Sequence, residues 1–306
     1  MRVAVFTVTG DQGSSVSKSL IEGGHEVLGI TRNPSSEMSK DLAKLGITLI
    51  KGDLSDPASY SNQLENIDAA FVNADFWVHY LSNGYNAVKA QEAEVEQSIG
   101  AIEASVKAGA KHIVYSTLDE VENGACPHFE SKNTVSRYLK QHGIPHTNLV
   151  TCNYFSNLTK FGMLKPTEEK SKWLLAFGVP DDTVISSFPV EQTGLWVKEA
   201  LYNPDKWIGK DMYATTDSLS ISQMADTLAR VGKVTVETLQ LTRDDFYSDK
   251  HKQQTGEELW LAMKLIYEGK TPRTPETTTV IPGTWNFETW VKGNPQLKEW
   301  FNNKSV

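Results

Sequence analysis

The chain has 306 residues, of which 39% are hydrophobic and 22% are charged, and its formal net charge is −8. These proportions are those of a soluble globular protein, and the acidic excess disfavours direct binding to the phosphate backbone of a nucleic acid. Two cysteines without metal-ligand spacing, Cys126 and Cys152, indicate free thiols in a reducing compartment and no metal site. No signal peptide and no apolar stretch of roughly 20 residues is recognised, so we expect no membrane contact and a cytoplasmic location, with a nuclear one left open.

The first half of the chain alternates strand-like and helix-like segments. Strands are predicted at residues 3–8, 26–31, 47–50, 68–73, 112–116 and 146–150. Helices are predicted between them, near residues 13–23, 36–45, from about 57, at 91–108 and at 129–141. Because strands separated by helices form right-handed βαβ units, the pattern predicts an α/β fold with a Rossmann-type, doubly wound parallel sheet.

The alternation stops after about residue 152. Helices are predicted at residues 189–202, 220–232, 257–268 and 287–291, and a strand at 234–241. Ser220 is the expected N-cap of the second of these helices and Gly232 its C-terminal stop. Residues 1–152 are therefore predicted to be a dinucleotide-binding domain. Residues 153–306 are predicted to be a smaller α+β lobe that forms a cleft against it, with some segments returning to the Rossmann sheet.

The first predicted strand leads into a loop that suits a phosphate. Its residues are Thr9, Gly10, Asp11, Gln12 and Gly13. Glycine lets backbone approach a pyrophosphate, and the N-terminus of the following helix offers N–H groups to it. Thr7 stands where a further glycine would permit a tight turn, so we expect a wider one. Asp11 would repel a phosphate, so its side chain should face solvent or cap the helix.

Polar residues after the next three strands complete the predicted cofactor site. Arg32 follows the second strand, where a carboxylate would favour NAD; a guanidinium there binds the 2′-phosphate of NADP, so NADP(H) is the predicted cofactor. The alternative is a solvated surface arginine. Asp53 and the backbone of Leu54 can meet the adenine, or Asp53 can cap the helix that starts near Pro57. Asn73 is expected beside the cofactor ribose.

Short segments matching one known family occur in order along most of the chain. They are residues 9–16 (TGDQGSSV), 32–34 (RNP), 52–54 (GDL), 114–116 (VYS), 128–132 (HFESK), 143–147 (GIPHT), 153–158 (NYFSNL) and, more loosely, 203–210 (NPDKWIGK). In this series the chain resembles the NmrA-like family of atypical short-chain dehydrogenase/reductases. The part after about residue 245 matches poorly. Some members also lack the first loop glycine, so Thr7 is compatible with the resemblance.

The resemblance also locates the residues that would do chemistry. In active members of the superfamily, a tyrosine and a lysine four residues apart share a helix face. The lysine holds the nicotinamide ribose and the tyrosine transfers a proton. Here the lysine position is Lys132, the tyrosine position holds His128, and the usual serine is Ser116. The resemblance also places Asn153, Tyr154 and Phe155 at the nicotinamide end of the site. For Phe155, a packing role is favoured over a cofactor contact.

Three interpretations remain open for the function. In the first, which we favour, the protein binds NADP(H) without efficient chemistry. It then acts as a redox sensor through a regulatory protein partner, as several NmrA-like proteins do. In the second, it is an NADPH-dependent reductase of a small carbonyl, quinone or aryl-ether substrate that uses Lys132, as relatives with an F-x-x-K pattern do (here Phe129 and Lys132). In the third, His128 replaces the tyrosine as general acid. A scaffold with a degenerate site is a further alternative, and either a monomer or a homodimer is expected.

Overall fold

The computed structural model describes residues 1–169 and 171–302, and the chain divides into two compact units. The first unit comprises Met1–Thr151 and Val190–Ala214. The second comprises Cys152–Pro189 and the chain from Thr215 onward. Among the described residues, no helix combines the length and the apolar character that crossing a membrane requires.

The elements are numbered along the chain. The strands are β1 (Arg2–Val5), β2 (Glu26–Thr31), β3 (Thr48–Lys51), β4 (Ala69–Val72), β5 (His112–Thr117), β6 (His146–Val150), β7 (Asn153–Tyr154), β8 (Leu164–Pro166), β9 (Lys172–Leu175), β10 (Val184–Phe188), β11 (Lys210–Ala214), β12 (Asp217–Ser220), β13 (Thr235–Thr238) and β14 (Thr278–Thr279). The helices are α1 (Asp11–Glu22), α2 (Glu37–Lys44), α3 (Ala58–Ser61), α4 (Phe76–Ser82), α5 (Ala87–Lys107), α6 (Pro127–Gln141), α7 (Asn157–Lys160), α8 (Thr193–Tyr202), α9 (Pro204–Trp207), α10 (Ile221–Gly232), α11 (Arg243–Phe246), α12 (Asp249–Thr255), α13 (Glu257–Tyr267), α14 (Phe287–Gly293) and α15 (Pro295–Asn302), with a 3₁₀ helix at Val190–Gln192.

Seven neighbouring strands of the first unit lie in the order β11, β6, β5, β4, β1, β2, β3, and each pair is parallel. The strand order reverses between β1 and β4, which are adjacent although three helices and two strands separate them in sequence. The predicted Rossmann-type, doubly wound sheet is confirmed. In such sheets ligands bind at the carboxyl ends of the strands beside this reversal, so a ligand is expected at the carboxyl ends of β1 and β4.

The apolar runs that predicted the strands form the core of the first unit. Alternate residues of β1, β2 and β4 pack on one face of the sheet with residues of α5 and α6, and they include Ala4, Ile30 and Val72. On the first unit's α8, a Cβ at Gly194 would lie 2.5 Å from the backbone oxygen of Ser15, so glycine lets α1 and α8 pack closely. This contact places residues 193–202 in the first unit.

The second unit contains two three-stranded sheets, β12–β10–β7 and β13–β9–β8. Its core is rich in aromatic side chains, among them Trp173, Trp260 and Trp290. Ser220 is the N-cap of α10 as predicted, in a capping box with Gln223. Gly232 is not the stop: Lys233 adopts the left-handed conformation (φ 52°) that ends the helix, and Gly232 remains helical, with the ring of Phe301 2.8 Å from where a Cβ would lie.

Candidate functional site

The loop after β1 is tightly built around two glycines. Gly10 is the N-cap of α1 and offers no side chain, and its N–H donates to the carbonyl of Thr7 at 2.9 Å. Gly13 lies in the first turn, where a Cβ would come within 2.3 Å of the same carbonyl oxygen. The buried Gln12 lies between Gly13 and the exposed Asp11, the first residue of the helix. The glycines therefore let the loop fold directly onto the N-terminus of α1.

Thr7 corrects the expectation of a wider turn. It adopts a positive φ of 51°, the conformation that glycine normally supplies, and the turn closes between Thr7 and Gly10. The Thr7 hydroxyl donates to the carbonyl of Phe6 at 2.7 Å and reaches the carbonyl of Asn73 at 3.4 Å. These bonds hold the loop against the end of β4, the neighbouring strand at the reversal.

The two residues predicted to contact the adenosine half lie at the carboxyl ends of β2 and β3. Arg32 follows β2 directly and is exposed. Asp53 accepts a hydrogen bond from the N–H of Ser55 at 2.9 Å, while the N-cap of α3 is Pro57. The helix-capping alternative for Asp53 is therefore wrong, and its adenine contact stays a prediction. The adenine contact of the Leu54 backbone also stays a prediction, and the Leu54 side chain is buried in the core of the first unit.

Lys132 is the centre of a buried polar cluster, which we call the Lys132 cluster. Its Nζ lies 2.9 Å from Oε1 of Glu94, 3.2 Å from Oδ1 of Asn73 and 3.0 Å from the carbonyl oxygen of Ala74. An ammonium group has three protons, and these three acceptors match them in number. Asn73, predicted at the ribose, thus lies beside Lys132, and both are at the carboxyl end of β4.

Glu94 joins Lys132 to two further segments. Its carboxylate is fully buried and accepts hydrogen bonds from the N–H of Phe76 (3.1 Å) and from the hydroxyl of Ser131. Nearby, the Lys132 Nζ lies 5.7 Å from the ring centre of Tyr115. Burial, together with the charge of Glu94, raises the pKa of Tyr115 well above its usual value, so this phenol is neutral at physiological pH. The cluster therefore contains one buried cation paired with one buried anion.

Ser116 and His128 contact other residues of the first unit. The Ser116 hydroxyl donates to Oε1 of Gln12 at 2.9 Å, which connects the end of β5 to the first turn of α1. His128 is the second residue of α6; its Nδ1 lies 3.3 Å from Sγ of Cys126, and its ring packs 5.1 Å from that of Trp77. Their catalytic roles stay predictions.

The three residues predicted at the nicotinamide end belong to the second unit. The Asn153 amide donates to the hydroxyl of Ser187 at 3.0 Å, and the Tyr154 ring packs edge-on against Phe188. Phe155 is 1% exposed and packs in the core of that unit, 5.2 Å from the ring of Phe287. The side chain of Phe155 thus has a packing role, and the cofactor contacts of the three residues stay predictions.

A model of the NmrA-like family matches residues 1–270. The chain belongs to the NmrA-like family. The resemblance noted in the sequence is thereby confirmed. The match extends beyond residue 245, where the short motifs match poorly.

Curated relatives resemble the chain over most of its length, and the first two are named as NmrA-like family proteins. A domain-containing protein of Dictyostelium discoideum is 27% identical over 244 residues, 75% of this chain and 77% of its own. The oxidoreductase himF of Aspergillus japonicus is 26% identical over 248 residues, which cover 74% of this chain and 71% of himF. The photosystem II assembly factor Ycf39 of Synechocystis is 24% identical over 300 residues, which cover 92% of this chain and 88% of Ycf39.

Solved structures share the fold at low identity. The negative transcriptional regulator NmrA, also solved with NAD and with NADP, has a TM-score of 0.76 at 19% identity, over 99% of this chain and 98% of its own. A Citrobacter triphenylmethane reductase complexed with NADP(H) has a TM-score of 0.73 at 18% identity, over 96% and 99%. The Escherichia coli quinone oxidoreductase QOR2 with NADPH has a TM-score of 0.72 at 19% identity, over 95% and 99%.

Glu94 is the member of the Lys132 cluster that the motif comparison missed. A signal was present in the sequence: Ala90, Glu94, Gln97 and Ala101 recur at helical spacing and are all buried in α5. A charged residue on the buried face of a helix requires a partner of opposite charge. The basic partner, Lys132, lies 38 residues further along on another helix, so only the fold identifies it.

Proposed function

We propose that this NmrA-like protein binds NADP(H) at the carboxyl edge of its parallel sheet and acts as a dinucleotide-responsive regulator with little hydride-transfer activity. The residues present suit such a cofactor. Gly10 and Gly13 bring backbone close to the N-terminus of α1, which favours phosphate. Arg32 supplies an exposed guanidinium at the end of β2, which suits a 2′-phosphate.

The state of Lys132 is the observation that carries the regulatory assignment. Its three contacts with Glu94, Asn73 and Ala74 match the number of its protons, so the ammonium is held as a structural cation. A lysine that relays protons to a reacting group needs a proton directed at that group. His128, which stands at the tyrosine position, lies against Cys126 and Trp77. Both features favour binding over turnover.

The relatives support the same proposal. NmrA is described as a negative transcriptional regulator and has been solved with NAD and with NADP, and Ycf39 is an assembly factor. Both descriptions are of proteins that act on other macromolecules. We therefore propose a regulatory protein partner for this chain, and its net charge of −8 disfavours nucleic acid as that partner.

A second function has support of its own, because Phe129 and Lys132 reproduce the F-x-x-K pattern of tyrosine-independent reductases. NADPH, when bound, would supply the hydride. In this alternative the contacts of Lys132 would rearrange to position the cofactor ribose. The structural neighbours with triphenylmethane and quinone reductase names favour an aromatic or quinone substrate.

The experiment that tests the proposal combines binding and turnover. Isothermal titration with NADPH, NADP⁺, NADH and NAD⁺ should show saturable binding, with NADP forms preferred. NADPH oxidation should then stay at background with a panel of quinones, aldehydes, enones and aryl ethers. Steady oxidation that is lost in Lys132→Ala would support the reductase instead, and no binding of any dinucleotide would refute both functions.

A further inference from the structure

We propose that Glu94 sets the preference of the site between oxidised and reduced dinucleotide, because its carboxylate cancels the charge of Lys132. This inference rests on the proposed function, since it concerns the cofactor of that site. It assigns a specificity-determining role to a residue that the family motifs do not include.

The geometry makes the pair electrostatically important. Glu94 is fully buried and Lys132 is 8% exposed, so solvent screens both charges weakly. The carboxylate is held from both sides: one oxygen bonds Lys132 and the N–H of Phe76, and the other accepts from the hydroxyl of Ser131. The N–H of Phe76 and the hydroxyl of Ser131 are donors to Glu94 that remain when the lysine is replaced.

The two redox states of the cofactor differ in charge at the nicotinamide. The oxidised ring is a cation, whereas the reduced ring is neutral. An uncompensated ammonium near the ring would weaken binding of the oxidised form and leave the reduced form almost unaffected. Lys132 contacts Asn73 and Ala74, directly after β4 and beside the strand-order reversal, where the fold is expected to receive the nicotinamide half. With Glu94 in place, the pair is neutral and the site accepts both forms.

Other groups near the pair do not change this comparison. Burial and the charge of Glu94 raise the pKa of Tyr115, and its phenol is neutral at physiological pH with or without Glu94. Asp75 is exposed and caps α4 through the N–H groups of Trp77 and Val78. His128 and Asp75 are the same in every variant below, so their contributions cancel when the ratio is compared between variants.

The test is the ratio of the dissociation constants of NADP⁺ and NADPH, measured by calorimetry in four proteins: wild type, Glu94→Gln, Lys132→Met and the double variant. Glu94→Gln leaves an unpaired cation and should raise the ratio about tenfold, equivalent to about 1.4 kcal/mol. Lys132→Met removes the cation and leaves Glu94 with its backbone and hydroxyl donors, so the ratio should fall. The double variant is neutral again and should return to within about threefold of wild type.

A merely structural role for Glu94 would weaken both cofactors alike and leave the ratio constant. That result, or a double variant that keeps the ratio of Glu94→Gln, would overturn the inference. If Glu94→Gln does not fold, as judged by circular dichroism, the fall of the ratio in Lys132→Met and its restoration in the double variant decide the question. If wild type binds neither dinucleotide, the proposed function itself fails, which is a distinct outcome.

Discussion

Replacement of Gly13 by alanine should disrupt the phosphate loop. The new Cβ would lie 2.3 Å from the carbonyl oxygen of Thr7, 2.8 Å from its carbon and 2.9 Å from Cα of Val8, where ordinary contacts exceed 3.4 Å. All three atoms are backbone, so the loop must move by about 1 Å. Such overpacking costs about 1–3 kcal/mol, and the better helix propensity of alanine offsets about 0.5–1 kcal/mol. The difference is a net destabilisation of about 0–2.5 kcal/mol, and we expect a value near the middle of that range.

The same displacement should weaken cofactor binding. Loss of one charge-assisted hydrogen bond to a phosphate corresponds to about 1.5–3 kcal/mol, so NADPH affinity should fall at least about tenfold. Gly10→Ala is the matched control, because its Cβ would lie 3.2 Å from the same oxygen and needs only a small adjustment; its cost should stay below about 1 kcal/mol. Urea unfolding followed by circular dichroism measures stability, and calorimetry measures affinity. A Gly13→Ala protein that matches wild type in both stability and affinity would show that the loop does not depend on glycine at this position.

Three further predictions concern charge. Arg32→Ala should weaken NADP binding about 10- to 150-fold and leave NAD nearly unchanged in a calorimetric titration; equal losses would mean that Arg32 does not contact the 2′-phosphate. Glu94→Ala should lower the free energy of unfolding by about 3–5 kcal/mol in urea, because it leaves the Lys132 ammonium buried without its anion; a loss below 1 kcal/mol would contradict a buried pair. Burial, with a smaller contribution from His146, lowers the pKa of His112 to about 4, so the folded state favours the neutral imidazole. This contribution to the free energy of unfolding is complete above pH 6.5 and should fall by up to about 3 kcal/mol between pH 6.5 and 4. The fall should be smaller in His112→Gln. An equally large fall in His112→Gln would show that His112 is not its source.

The sheet was predictable because buried parallel strands are nearly continuous apolar runs. The pattern around residues 3–8 placed β1 correctly but overran its end, since Thr7 reverses the chain with a conformation that a threonine rarely adopts. Helix α4 was not predicted. Its seven residues are mostly aromatic or β-branched, and it depends on the cap by Asp75 and on the bond from Phe76 to Glu94.

The site was predictable only for residues whose position follows from the order of the strands and helices. Gly10, Gly13 and Arg32 follow strands directly, so the order of elements is enough to bring them to one edge of the sheet. The pairing of Glu94 with Lys132 depends instead on how α5 and α6 rotate and pack, and short motifs carry no such information. Likewise, the return of Val190–Ala214 to the first unit depends on the contact of α8 with α1, made by Gly194.

We expect this protein to bind a phosphorylated nicotinamide dinucleotide without turning it over efficiently. The decisive experiment is calorimetric titration with NADPH, followed on the same sample by the absorbance of NADPH during incubation with the panel of quinones, carbonyls and aryl ethers. Binding should saturate at one site per chain and be weakened in Arg32→Ala, and oxidation should be no faster than in buffer. Steady oxidation that disappears in Lys132→Ala, or the absence of binding, would contradict this expectation.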